Sequence, residues 1–252
     1  MPIARRQFLV STAAALLTGA ARARAAQNTR PLRAVAFDGL AIFDARRVLA
    51  VADSAFPGRG AELVNAWRTR QFDYQWLRVS GARYEDFERV TADSLEFAAR
   101  LLGVELSADL RAALLDVYRG LDAWPDAEPA LRALKGAGLK LALLSNMTAG
   151  MLHGGIERAG LRGLFDRVLS TDEVGSFKPA PRSYALGPSA LRVPVETILF
   201  VASAGWDAAG AKWFGYPTYW VNRTAAPVEE LDATPDGIGR DLDELVAFVR
   251  ER

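Results

Sequence analysis

The chain has 252 residues, 50% of them hydrophobic, 24% charged and 10% aromatic, which excludes a disordered chain, a collagen-like repeat and a disulfide-stapled miniprotein. Lys and Arg number 31 against 30 Asp and Glu, and a net charge of +1 gives no electrostatic case for nucleic acid. With no cysteine and a single histidine, His153, the chain lacks the means for thiol catalysis, iron–sulfur clusters, thiolate zinc sites, disulfides and His-rich metal centres.

Residues 1–26 read as an export signal. Arg5-Arg6-Gln7-Phe8-Leu9-Val10 is a twin-arginine pair with a short apolar tail, residues 11–21 are modestly apolar, and Ala23-Arg24-Ala25 offers small residues at the spacing a signal peptidase needs. The apolar run is too short and interrupted for a membrane-spanning helix. The expectation is a periplasmic protein, freed of its signal, with no stable membrane anchor.

After Pro31, residues 33–37 form a short apolar run closing on Asp38, a first strand of a parallel sheet. Similar runs follow at 139–144 (closing on Ser145-Asn146), 167–170, 197–201 and 218–221, with helical patterns at 128–136, 151–159 and 182–191. Strands alternating with helices predict an α/β fold, a doubly wound parallel sheet that places ligands outside the carboxyl ends of its strands. Between about residues 45 and 124 the pattern becomes helical only, with apolar spacing at 61–77, 84–102 and 108–119. The division expected is therefore an α/β core of 31–44 and 125–252 with a helical cap, 45–124, inserted after the first strand.

Asp38 is the first candidate for chemistry. A carboxylate at the end of a buried strand, followed by Gly39, can be held ionised and aimed by the N–H groups of the turn, as a nucleophile requires. It can equally cap the next helix, and the residue alone leaves both open. Ser145-Asn146 can cap a helix too; Arg68 can be a solvated charge and Trp206 plain core. Ser203 has no base near it in sequence and makes a poor nucleophile.

Taken together, the motifs resemble a known family. Ala36-Phe37-Asp38 with Phe43-Asp44, Leu144-Ser145-Asn146, Phe177-Lys178-Pro179 and Trp206-Asp207-Ala208-Ala209-Gly210-Ala211 are similar, in order, to the four motifs of the haloacid dehalogenase superfamily. Phe56-Pro57-Gly58-Arg59-Gly60, Trp67-Arg68, Tyr74-Gln75-Trp76-Leu77-Arg78 and Trp220-Val221-Asn222-Arg223-Thr224 narrow the resemblance to its type II L-2-haloacid dehalogenases. The resemblance implies a Rossmann-like core with a cap, no cofactor, no metal, a small 2-haloacid substrate and a homodimer. It implies hydrolysis in two steps. Asp38 displaces halide from C2 and becomes an ester, and water then releases the 2-hydroxy acid with inverted configuration.

By the same resemblance, Arg68 and Asn146 cradle the halide and Ser145 binds the substrate carboxylate. Lys178 balances the charge of Asp38, Tyr184 supports that lysine, and Asp207 orients or deprotonates the hydrolytic water. Phe72, Phe87 and Trp206 form the apolar wall. Two stretches depart from the family. Its Phe-Asp-x-Tyr-Gly-Thr-Leu-Phe-Asp becomes Phe37-Asp38-Gly39-Leu40-Ala41-Ile42-Phe43-Asp44, one residue shorter and lacking the Tyr and Thr hydroxyls. The family's Asn before its Trp-Asp falls on Ala204, and Ala202 stands where the family has a second serine. The phosphatase branch needs an acid two residues after the nucleophile, where this chain has Leu40. A remaining alternative is a non-catalytic or repurposed relative that binds a small carboxylate.

Overall fold

Four residues, Ala34–Phe37, form β1, and none of them is exposed. The computed structural model describes residues 31–252, so the expected export signal lies outside it. β1 is followed by a one-turn helix α1 (Gly39–Ile42), strand β2 (Phe43–Asp44), α2 (Arg46–Ala55), α3 (Gly60–Ser80), α4 (Phe87–Leu102), α5 (Ala108–Arg119) and β3 (Asp122–Ala123). Then come α6 (Ala127–Gly136), β4 (Lys140–Ser145), α7 (Ala149–Arg158), β5 (Arg167–Ser170), α8 (Pro181–Tyr184), α9 (Leu186–Leu191), β6 (Ile198–Ala202), α10 (Gly205–Phe214), β7 (Thr218–Val221), β8 (Gly237–Gly239) and α11 (Leu242–Arg250).

Six strands make one parallel sheet in the order β5-β4-β1-β6-β7-β8, with Phe37 level with Leu143 on one side and Val201 on the other. Period-two alternation sorts its side chains. Val35, Phe37, Leu141, Leu143, Leu199 and Val201 enter one core, while Ala34, Ala36, Ala142, Leu144, Ile198 and Phe200 enter the other. Helices α6, α7 and α11 contribute to the first core, and α9 and α10 to the second. A sheet buried on both faces explains why its strands read as unbroken apolar runs. Each buried Val, Leu or Phe contributes about 1.5–3 kcal/mol.

Helices α2–α5 lie in the chain between β2 and β3, which pair antiparallel at Phe43–Ala123 and Asp44–Asp122. Trp124, just after this ribbon, donates its backbone N–H to Ile42 and its indole N–H to the Leu40 carbonyl at 3.2 Å. Arg46 and Arg223 both lie over its ring, and Arg223 also pairs with Asp126 at 2.9 Å. This junction packs against α1, the turn that carries Asp38.

Three details differ from the sequence expectation. The helix expected from residue 84 starts at Phe87, because Asp86 is extended and accepts the Arg89 N–H as its N-cap. The helix expected over 182–191 is split into α8 and α9. Pro188 has no N–H to give the carbonyl four residues back, and that Tyr184 carbonyl instead accepts the Tyr216 hydroxyl at 2.6 Å. Strand β8, Gly-Ile-Gly, has no apolar run to announce it.

Candidate active site

Four loops at the carboxyl ends of the parallel strands bring the polar residues together, as an open α/β sheet prescribes. Asp38 follows β1, and its backbone N–H continues the sheet to the Val201 carbonyl at 2.9 Å. Its side chain caps α1, with Oδ2 accepting the Leu40 N–H at 3.1 Å. The cap and the candidate nucleophile are thus one residue, and 8% of Asp38 is exposed.

Lys178 is wholly buried. Its Nζ donates to Asp38 Oδ1 at 2.8 Å and to Asp207 Oδ2 at 2.5 Å, so one ammonium bridges two carboxylates. Burial opposes its charge, but Asp207 and Asp38 outweigh burial and hold its pKa above the ordinary lysine value. Asp207, in the first turn of α10, also accepts the Tyr184 hydroxyl at 2.6 Å on Oδ1. Burial pushes Asp207 up to about 6; Lys178 and the Tyr184 hydrogen bond pull it down, while the Asp38 charge adds to the rise. A carboxylate titrating there is placed to take a proton near neutral pH.

Ser145 and Asn146 end β4, both buried. A Cβ on Gly39 would lie 2.7 Å from Ser145 Oγ, so glycine lets the Asp38 turn sit against that hydroxyl. Asn146 Oδ1 accepts the Lys178 backbone N–H at 2.8 Å and the Thr171 hydroxyl at 3.2 Å. These two donors fix the amide's orientation. One hydrogen of its Nδ2 goes to Gln75 Oε1 at 2.8 Å, which leaves the second for a ligand.

Gln75 belongs to α3, so Asn146 ties the inserted helices to the strand end. From there a buried chain of bonds runs through Gln75 to the Gln71 carbonyl, from the Gln71 amide to Thr91, and from Thr91 to the Phe87 carbonyl. A second tie joins Tyr84 to Asp172 at 2.9 Å, with the Tyr84 ring against Phe177.

The aromatic residues fall into two groups. Phe72 of α3 meets Trp206 of α10 at 5.0 Å between ring centroids, across the same boundary as Gln75 and Asn146. Phe87 packs edge-on against Tyr118, which in turn meets Trp67. Arg68 belongs near this second group. It is exposed, has no carboxylate partner among the described residues, and is felt at Tyr118, whose hydroxyl burial pushes up and Arg68 pulls back. Hydrogen bonds thus unite Asp38, Lys178, Asp207, Tyr184 and Asn146, with Ser145 beside them, but the structure records no contact between Arg68 and that cluster.

Three polar partners escaped the sequence reading. Ser203 donates to Asp38 Oδ2 at 2.6 Å, and Gln75 and Thr171 hold Asn146. Gln75 had a signal of its own. Leu63, Trp67, Gln71 and Gln75 recur every fourth residue along α3 and are all buried, so an apolar stripe turns polar where it reaches the site.

A parallel sheet with a buried Asp–Lys–Asp bridge at its strand ends sets two carboxylates and an ammonium where an open α/β fold places its ligands, the arrangement of a hydrolase of that fold. Residues 37–215 match the family of haloacid dehalogenase-like hydrolases. The (S)-2-haloacid dehalogenase of Pseudomonas sp. (strain YL) is 44% identical over 206 residues, 81% of this chain and 89% of that protein. The haloacetate dehalogenase H-2 of Moraxella sp. (strain B) is 34% identical, over 87% and 99% respectively. Among solved structures, an L-2-haloacid dehalogenase superposes with a TM-score of 0.86 at 44% identity, covering 88% of this chain and all of that one. The Xanthobacter autotrophicus L-2-haloacid dehalogenase with chloropropionic acid covalently bound gives 0.80 at 35% identity, over 87% and 98%. The chain belongs to the haloacid dehalogenase-like hydrolase family.

Proposed function

We propose that the protein hydrolyses short L-2-haloalkanoic acids to 2-hydroxy acids through an ester on Asp38. The observation that carries the reading is the buried bridge in which Lys178 holds Asp38 and Asp207 together, at 2.8 and 2.5 Å. It supplies an aimed nucleophile with its charge balanced, and a second carboxylate beside it. Among the described residues no group of three or more His, Asp or Glu side chains is arranged to hold a metal ion. The Lys178 ammonium offsets one of the two carboxylate charges.

In the first step an oxygen of Asp38 attacks C2 from the side opposite the halogen. The C–O bond forms as the carbon–halogen bond breaks, and halide leaves with the electron pair. In the second step water attacks the ester carbonyl, Asp207 takes the water's proton, and the hydroxy acid departs with inverted configuration. Ser145 is assigned to the substrate carboxylate, and the uncommitted Asn146 N–H to the departing halide. Arg68, exposed in this structure, is assigned to turn inward and join it there. Phe72 and Trp206, whose rings meet, are assigned to the apolar wall, with Phe87 in the separate group around Tyr118; the wall strengthens each of these charge interactions by excluding water.

The test is halide release from each enantiomer of 2-chloropropionate. The reading expects halide and D-lactate from the L form alone. No halide, with a small carboxylate still bound, would leave a binding protein. The twin-arginine motif at Arg5-Arg6 supports export to the periplasm. Replacing both with Lys should hold the uncleaved precursor in the cytoplasm, and normal export of that variant would refute it. Among the described residues no helix is long and apolar enough to cross a membrane. Trp76 and Leu77, exposed on α3, are among the apolar side chains that pairing with a second copy could cover, which sedimentation would reveal.

A further inference from the structure

The carboxylate of Asp38 is asymmetric. Oδ2 accepts two hydrogen bonds, from the Ser203 hydroxyl at 2.6 Å and the Leu40 N–H at 3.1 Å. Oδ1 accepts one, from Lys178 at 2.8 Å. Each carboxylate oxygen has two lone-pair sites, so Oδ2 is filled and Oδ1 keeps one site open. We propose that Oδ1 is the attacking oxygen, and that Ser203 with the Leu40 N–H forms the oxyanion hole for hydrolysis of the resulting ester. The assignment rests on the dehalogenase reading and gives Ser203 a catalytic role in it.

The steps balance as follows. Attack through Oδ1 puts the substrate carbon on that atom and leaves Oδ2 as the ester carbonyl oxygen, already between two donors. Water adds to Cγ, its proton passes to Asp207, and the carbonyl electron pair moves onto Oδ2. The oxyanion that forms there meets preorganised donors that need not reorient. When the carbonyl reforms, the Cγ–Oδ1 bond breaks. The hydroxy acid leaves carrying Oδ1 and regains the proton from Asp207. The water oxygen stays in Asp38, and its remaining proton is released to solvent, which restores the carboxylate for the next turnover.

The local sequence explains why this duty falls on one side chain. Residues 202–205 read Ala-Ser-Ala-Gly, so Ser203 offers the only side-chain hydrogen-bond donor between β6 and α10. Leu40 is held in place by the turn that Asp38 itself caps, which keeps its N–H on Oδ2. A serine that only steadied the loop would slow both half-reactions alike. An oxyanion donor slows the second.

The experiment follows the ester on the Asp38 peptide by mass spectrometry, together with halide release, in a single turnover with L-2-chloropropionate. Wild type, S203A, S203C and S203T are compared, with thermal melting as the check on folding. In S203A the ester should decay at least about 100-fold more slowly than in wild type, while its formation slows by less than about 10-fold. S203C keeps the shape with a weaker donor and should change in the same direction. S203T keeps the hydroxyl and should restore decay to within about 10-fold of wild type. Equal slowing of both steps, or of neither, in folded S203A or S203C overturns the role of Ser203. A folded wild type that yields neither halide nor ester overturns the dehalogenase reading and this assignment with it.

Discussion

Tyr184→Phe tests the electrostatics of the site most directly, because it removes one oxygen and keeps the ring. The Tyr184 hydroxyl is buried and lies 2.6 Å from Asp207 Oδ1, where it stabilises the carboxylate and not the carboxylic acid. Asp207 titrates at about 6, raised by burial and held from going higher in part by this bond. A hydrogen bond to a buried charged group contributes about 1.5–3 kcal/mol. At about 1.4 kcal/mol per pH unit, losing it moves the titration upward by about 1–2 units.

The sign follows from the role. Below its pKa Asp207 already holds a proton and cannot accept one from water, so ester decay falls off on the acid side. Removing the donor makes Asp207 hold its proton more tightly, and the acid limb moves to higher pH. The variant should therefore lose most of its rate at pH 6 and recover much of it by pH 9. The assay is the rate of ester decay, or of steady halide release, across that range. Tyr216→Phe is the matched control, since its hydroxyl goes to the Tyr184 carbonyl and not to Asp207. An unmoved limb in Tyr184→Phe, or equal movement in both variants, would refute the reasoning.

Gln75→Leu leaves one buried Asn146 N–H without its acceptor and should cost about 1–3 kcal/mol of stability, seen as a lower Tm. Gly210→Ala puts a Cβ 2.5 Å from Tyr184 Oη and 2.8 Å from Pro179 Cβ, a clash costing about 1–3 kcal/mol in denaturant titration. It should also move the acid limb in the direction Tyr184→Phe does, because the same hydroxyl is pushed off Asp207. Ala204 is the N-cap of α10 and its side chain caps nothing, so Ala204→Asn should stabilise the protein by about 1 kcal/mol. The same variant restores the amide found in the resembling family and should shorten the lifetime of the ester. Halide release should persist unchanged in EDTA, because Lys178 carries the positive charge between Asp38 and Asp207.

Much of the sheet was legible because a strand buried on both faces must be apolar throughout, and each polar residue at its end marks where the run stops. Asp38 and Ser145-Asn146 were visible for that reason. Lys178 was not visible on the same ground. It lies in a loop, and its meaning comes from two carboxylates that are 140 and 29 residues away along the chain. Ser203 has no base adjoining it in sequence, which argues against a nucleophile. A donor to an oxyanion needs no base, only an acceptor, and that acceptor is 165 residues distant. A reading that asks what could activate a hydroxyl overlooks what the hydroxyl could stabilise.

Helix α3 gives the same lesson from the opposite side. Arg68 carried the expectation of a cation in the halide cradle, yet it sits one position beyond Trp67 and is exposed in the structure. The buried stripe runs instead through Leu63, Trp67, Gln71 and Gln75, at the spacing that keeps side chains on one helical face. A glutamine on such a face must find partners or cost free energy, and both find them. Gln75 accepts from Asn146, and Gln71 donates to Thr91 at 2.6 Å. Polarity inside an otherwise apolar stripe therefore marks where the helix stops packing on a core and begins to face a site. That rule needs only the sequence and the helical period. It locates the contact between α3 and the end of β4 without any knowledge of what binds there.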